Sequence, residues 1–155
     1  FAKPMPPRLA DVEMPRLLDE LLEFLSSECL QRRVEVVRDY AATQPIQADP
    51  QQMKQVFLNL ILNGLEAMDG RGGQLTISTT IHEERFVVEI ADTGMGIAPK
   101  DLPHLGEPFF TTKDKGTGLG LAVVQGIVQE HGGRVAIQSE LGRGTRVRIA
   151  LPLPQ

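Results

Sequence analysis

Six consecutive residues, Gly116-Thr117-Gly118-Leu119-Gly120-Leu121, put a glycine at every second position and then pass straight into an apolar helical pattern. Such a chain opens into a loop and then winds into a helix. The loop's backbone N–H groups can approach a ligand closely, and the helix that follows turns its positive N-terminal end toward an anion. The combination reads as a phosphate cradle. Taken alone, the same glycines also suit a flexible tether, so the surrounding stretch from Glu107 to Val124, EPFFTTKDKGTGLGLAVV, has to be weighed with the rest of the chain.

With 155 residues, 41% of them apolar, there is chain for one globular domain with a sizeable core, and two full domains would be cramped. A net charge of -4 offers no basic face for a phosphate backbone, and with no tryptophan and one tyrosine there is little for base stacking; nucleic acid is not an expected partner. Cys29, the single cysteine, lies in a leucine-rich helical stretch and reads as a buried small hydrophobe. It has no internal disulfide partner, which suits a reducing compartment. No apolar run approaches the length of a membrane span, and FAKPMPPRLA lacks the hydrophobic core of a signal peptide. The expected location is the cytoplasm. The abrupt start without a methionine suggests a piece of a longer protein, whose remainder is free to carry a membrane anchor.

Residues 1 to 14 hold Pro4, Pro6 and Pro7 and few periodic apolar residues, which predicts an extended linker. From Pro15 the run RLLDELLEFLSSECL is apolar at Leu17, Leu18, Leu21, Leu22, Leu25 and Cys29, the spacing of one helical face. Val34 to Asp39 and Ile46 to Ala48 read as strands. Asp49 followed by Pro50 announces a helix to about Met68, with Met53, Val56, Phe57, Leu60, Ile61, Gly64 and Met68 on one stripe. At about 100° per residue, Asn59, Asn63 and Glu66 fall together on another face. Asparagines one turn apart are poor helix formers and look placed for chemistry; a polar edge with local hydrogen bonds is the plainer alternative.

Leu75, Ile77 and Ile81, then Phe86, Val88 and Ile90, alternate around a tight turn at His82 to Arg85, predicting a hairpin with one face on the core. His82 and His104 carry no ligand pattern. The hairpin runs into Asp92-Thr93-Gly94-Met95-Gly96-Ile97, which presents a carboxylate above a backbone able to approach a flat ligand, or else is only an acidic turn. Phe109-Phe110-Thr111-Thr112-Lys113 leads from an aromatic anchor to hydroxyls and a cation, fit to fold over a phosphate or merely to pin a loop. Leu121 to His131 is helical and stopped by Gly132-Gly133. Val135 and Ile137 form a strand, Leu141 to Gly144 turns it, and Val147, Ile149 and Leu151 alternate in the last strand. This order predicts an α+β, two-layer α/β sandwich: a mixed, mostly antiparallel sheet covered on one face by helices.

These motifs, in this order, resemble the ATP-binding catalytic domain of bacterial sensor histidine kinases, in the GHKL ATPase superfamily, from about Pro15 to Pro152. The segment from Asn59 to Glu66 is similar to the family's N box, Asp92 to Ile97 to its first glycine box and Phe109 to Lys113 to its F box. Gly116 to Leu121 resembles the second glycine box, and Gly142 to Thr145 the third. The resemblance implies that residues 15–155 bind ATP with magnesium and donate the γ-phosphoryl group to a histidine on a separate dimerisation and histidine-phosphotransfer domain. That is the chemistry of two-component signalling. It further implies that residues 1–14 are the connector from that domain, that a response regulator receiver domain is engaged indirectly, and that the isolated domain is a monomer binding ATP and ADP.

Residue by residue, the resemblance gives Asp92 a hydrogen bond from the adenine amino group, with Gly96 letting the ring lie close; Gly94, Ile97 and Thr145 belong to the nucleotide-binding set. Asn63, and with it Asn59, would hold magnesium, whose preference for oxygen donors a neutral amide satisfies once the phosphates supply the rest. Gly116, Thr117, Gly118, Leu119, Gly120 and Leu121 would hinge a lid toward the β and γ phosphates. Phe110, Thr111, Thr112 and Lys113 belong to the same nucleotide-binding set, as does Glu66 two turns along from Asn59. The stretch between Lys113 and Gly116 is short, as in the nitrogen-sensing type of these kinases.

ATP-hydrolysing relatives such as gyrase carry a glutamate at the first N-box position, where it activates water as a general base. Here the position is Asn59, which cannot take a proton, so the nucleophile must bring its own reactivity and this domain's part is positioning and charge stabilisation. No histidine in the chain sits in a phosphoacceptor context, and Gly106 stands where relatives often have an aromatic residue. Two other readings remain open at this stage: an anti-sigma-factor-like serine protein kinase of the same superfamily, and a nucleotide-sensing module without transfer activity. A dinucleotide-binding dehydrogenase does not fit, because the glycine loop follows a polar segment instead of a strand, and no P-loop motif is present.

Overall fold

The computed structural model describes residues 5–104 and 120–154. Its central helix begins where the aspartate-proline pair predicts. Asp49 holds the N-cap in an extended conformation, its carboxylate accepts the Gln52 N–H at 3.1 Å, and Pro50 opens α3 (Pro50–Ala67). The predicted stripe from Met53 to Met68 is buried along its whole length.

Around it the described residues form α1 (Met14–Phe24), α2 (Ser26–Gln31) and α4 (Gly120–Glu130), with β1 (Ala10–Val12), β2 (Val34–Tyr40), β3 (Ile46–Ala48), β4 (Gly73–His82), β5 (Arg85–Asp92), β6 (Arg134–Glu140) and β7 (Gly144–Pro152). The main sheet has the order β2-β4-β5-β7-β6; β2 runs parallel to β4 and the other neighbours are antiparallel. α3 packs on β5 and lies against both α1 and α4. Leu75, Ile77, Phe86, Val88, Ile90, Ile149 and Leu151 meet these helices as the buried face of the sheet. The expected mixed, mostly antiparallel sheet with one helical layer is therefore what forms. Among the described residues no helix is long and apolar enough to cross a membrane.

Three local expectations are corrected. The segment read as an extended linker docks: Ala10–Val12 pairs antiparallel with Ile46–Ala48 in a small second sheet, and Val12 and Met14 are buried. The stretch from Pro15 to Leu30, read as one helix, is two, divided at Leu25 (φ -96°, ψ 10°) just before the serine pair Ser26-Ser27, a residue type that competes with helix interiors and favours helix starts. Ile81, placed on the core face by alternation, is 43% exposed: β2 ends opposite Thr79, so β4 continues past it as an edge strand there. The tight turn expected at His82 to Arg85 does form, made by Glu83 and Glu84 at positive φ (50° and 62°) without the glycine or asparagine that usually marks it.

Asp49 does more than cap α3. Its second carboxylate oxygen accepts the Arg8 backbone N–H at 2.9 Å, and its own N–H donates to Nε2 of His131, just past α4, at 3.0 Å. Nδ1 of His131 lies 2.9 Å from the Ile127 carbonyl, so the ring proton belongs on Nδ1. The Arg8 N–H first, then those of Gln52 and Gln51, hold the Asp49 carboxyl below its ordinary range against the opposing effect of burial. A folded value below the unfolded one means stability that is fully present above the unfolded value of about 3.9 and is lost as pH falls through the folded value. Asp49→Ala is accordingly expected to cost about 1–3 kcal/mol at neutral pH. The cost should shrink at pH 3, and urea unfolding at the two pH values reads both. An equal cost at both would mean that the carboxylate charge contributes nothing.

Candidate functional site

The site grows from the place where β5 ends against α3. Asp92 is the last residue of β5, directly opposite Leu75 of β4 and Thr145 of β7, so its position is set from both sides of the sheet. The side chain leans on α3 at Gly64. A methyl group there would lie 3.6 Å from Asp92 Oδ2 and 3.0 Å from Leu75 Cδ1. Gly64 adjoins Asn63, so strand end and helix bring the predicted carboxylate and the predicted asparagine to the same point.

Along α3, Asn59 and Asn63 are half-buried while Glu66 is exposed, which matches a polar flank beside a buried stripe. The loop after Asp92 is held at three points. Asp92 Oδ1 accepts the Gly94 N–H at 2.8 Å, closing a local turn that fixes the carboxylate. The Met95 N–H donates to the Ala67 carbonyl at 3.1 Å, satisfying one of the acceptors that the last turn of α3 leaves open. The Met95 carbonyl accepts the Gly142 N–H at 2.7 Å from the β6–β7 turn.

The glycines of this loop have packing reasons that the sequence pattern did not reveal. Gly96 has φ +74°, and a Cβ there would run into the Glu140 carbonyl. Gly144, at φ +134°, would drive a Cβ into the carbonyl of Asp92 itself. Close backbone approach at these two positions is thus chain against chain. Gly94 is similar, lying against the Ala67 carbonyl.

Sequence reasoning missed Ser139 of β6. Its Oγ accepts the Ile97 N–H at 2.8 Å and lies 3.0 Å from the Gly144 carbonyl and 2.8 Å from Thr145 Oγ1. One serine in an alternating strand carries no pattern that would single it out. Asp92, Ser139 and Thr145 also border a groove of about 570 Å³ that wraps the end of the sheet toward Gln74, Thr76 and Arg146 on its open face.

α4 is described from Gly120, and Leu121 to Glu130 is helical as the apolar pattern predicts; no described atom lies within 4 Å of a Cβ built on Gly120. Gly132 (φ +74°) and Gly133 end the helix; the Gly133 N–H returns to the Val128 carbonyl at 2.9 Å. Phe110, Thr111, Thr112, Lys113, Gly116, Thr117, Gly118 and Leu119 lie outside the described residues, as do Gly106 and the segment on which the short-lid expectation falls. No group of three or more His, Cys, Asp or Glu side chains able to hold a metal ion occurs among the described residues. The donors on α3 are amide oxygens and one carboxylate, a set that suits a hard cation arriving with its own phosphate ligands.

Comparison with known proteins adds the relatives. Residues 48–155 match the family described as histidine kinase-, DNA gyrase B-, and HSP90-like ATPase. Sporulation kinase C of Bacillus subtilis (strain 168) is 36% identical over 155 residues, covering 99% of this chain and 36% of that protein. Sensor histidine kinase ZraS of Escherichia coli (strain K12) is 36% identical over 154 residues, covering 99% of this chain and 33% of the relative. The chain thus spans about a third of the length of the curated relatives it matches. The crystal structure of full-length ShkA in complex with AMPPNP superposes with a TM-score of 0.86 at 28% identity, over 97% of this chain and 32% of that one.

Proposed function

This chain belongs to the histidine kinase-, DNA gyrase B-, and HSP90-like ATPase family, and on that premise we propose that it binds Mg-ATP and donates the γ-phosphoryl group to a histidine on a separate helical domain. One observation carries the reading: the Asp92 carboxylate lies against α3 at Gly64, the neighbour of Asn63, which gives a base-reading acceptor and an ion-holding amide on adjoining backbone. ShkA, solved in complex with AMPPNP, supports an adenine nucleotide as the ligand.

In this mechanism Asp92 accepts a hydrogen bond from the adenine amino group, while the Gly94 N–H keeps the carboxylate turned to the base. Gly96, Ile97 and Thr145 close around the ring. Asn63, with Asn59, would hold the magnesium ion, which when bound would neutralise charge on the phosphates; the backbone at Gly120 and the N-terminal part of α4 would face the phosphate end. Asn59 offers no base, so the attacking group must already be nucleophilic: a neutral imidazole nitrogen bonds to the γ-phosphorus as the bond to the ADP oxygen breaks. The chain's own contribution is alignment and charge stabilisation. The residues ahead of β1 act as the connector to the histidine-bearing domain, and a receiver domain takes the phosphoryl group onward.

Calorimetry tests the base contact. Asp92→Asn presents an amide donor to a donor and should weaken ATP binding by about 1–3 kcal/mol. GTP should bind the unaltered chain poorly for the same reason. Equal ATP affinity in Asp92→Asn would remove the adenine from this carboxylate.

A further inference from the structure

We propose that Ser139 is a specificity-determining positioning residue: it consumes the proton of the Thr145 hydroxyl, so that a purine lying beside Asp92 meets only acceptors at its six-position. The inference rests on the adenine reading given above.

The argument is a count of protons. A serine hydroxyl has one proton and two lone pairs. The Ile97 N–H, at 2.8 Å, takes one lone pair of Ser139. The Gly144 carbonyl, at 3.0 Å, has no proton and so takes the one that Ser139 has. The remaining contact, Ser139 Oγ to Thr145 Oγ1 at 2.8 Å, is then satisfied only if Thr145 donates into the second lone pair. All three valences of Ser139 are filled, and the Thr145 hydroxyl is left with lone pairs to offer a ligand.

Thr145 stands directly opposite Asp92 in the β5–β7 ladder. Directly opposed residues project from the same face as close neighbours. Carboxylate and oriented hydroxyl together form an acceptor pair for a 6-amino purine. A 6-oxo purine would set its carbonyl lone pairs against theirs. The same serine anchors Ile97, so base selectivity and the shape of the loop from Gly94 to Ile97 depend on one side chain.

The test compares ATP with ITP, which carries an oxygen where ATP carries the amino group, by calorimetry on this chain. Ser139→Ala frees the Thr145 hydroxyl to rotate and donate, so ATP should bind about tenfold more weakly while ITP loses less, narrowing the ATP:ITP ratio. Ser139→Thr, which keeps the hydroxyl, should retain the ratio. In a Thr145→Val background the serine substitution should no longer change it. If Ser139→Ala weakens both nucleotides equally, or changes neither, the proposal is overturned and the serine is only a prop for the loop. Should Ser139→Ala fail to fold by thermal unfolding, Thr145→Val alone decides: a narrowed ratio supports the proposal and an unchanged one overturns it. An unaltered chain that binds neither nucleotide would overturn the adenine reading itself, a distinct result.

Discussion

Gly96→Ala is expected to cost the chain both fold stability and nucleotide affinity, whereas Gly120→Ala is expected to cost affinity alone. At Gly96 the backbone holds φ +74°, and the added methyl would enter the Glu140 carbonyl and crowd Leu141 Cα at 2.9 Å. Both partners are backbone, so no side chain can swing aside. A left-handed non-glycine residue and an overpacked contact each cost about 1–3 kcal/mol. Their sum is a large part of the roughly 5–15 kcal/mol that holds a domain folded. Relief requires the loop to lift from the β6–β7 turn, which breaks the Ile97–Ser139 bond and moves the base site. Gly120 has no described atom near its missing methyl and is the first described residue of α4, where alanine is the better helix former. A close approach of the phosphates is the role that the cradle reading gives this glycine. Thermal unfolding and ATP calorimetry on the two variants should separate them: a lower Tm and lost binding for Gly96→Ala, an unchanged Tm and weakened binding for Gly120→Ala. Full ATP affinity in a stable Gly120→Ala would mean that the phosphates do not come close to this backbone.

The contrast between these glycines shows where the sequence was legible. α3 could be read to within a residue because its signals are local: Asp49 and Pro50 at its start and an apolar stripe at helical spacing. Asn59, Asn63 and Asp92 stood out because each is an awkward residue for its place unless chemistry needs it. Gly96 was read as making room for a ligand, since its steric partner, Glu140, lies far along the chain and no local pattern links the two. Ser139 was missed for the same reason. Ala10–Val12 was read as linker because three residues after a proline-rich run show no periodicity. Their strand exists only through pairing with Ile46–Ala48, a gain that no window on the sequence contains. Leu25 was read as mid-helix because its apolar spacing continues through the break, and only the serine pair after it hinted otherwise.

The second large effect concerns chemistry. Incubated alone with labelled ATP and magnesium, this chain should hydrolyse very slowly and not label itself, because Asn59 cannot activate water and no histidine here is placed as an acceptor. Added to the histidine-bearing helical domain of its own kinase, it should label that domain in trans. The transfer should be weak, because the tether that raises effective concentration is missing. Asn63→Ala should abolish transfer, since alignment and charge stabilisation are the whole of the catalysis assigned to this chain. Acid lability of the label identifies phosphohistidine. Acid-stable label on a serine would move the chain to the serine-kinase branch, and fast hydrolysis by the lone chain would assign to another group, Glu66 first, the base role denied to Asn59.

The knot at Asp49 decides where this unit can be cut or spliced. The backbone at Arg8, the first turn of α3 and His131 beyond α4 converge on one residue, and β1 is stitched to β3 immediately before it. A truncation that starts at the first helix, near Met14, discards half of the small sheet and the Arg8 N–H that donates to the Asp49 carboxylate at the head of the central helix. A chimaera joined there would inherit a frayed α3, and with it a displaced Asn59 and Asn63. Splices upstream of Arg8 keep the knot whole, so the natural seam of the unit lies before its first strand.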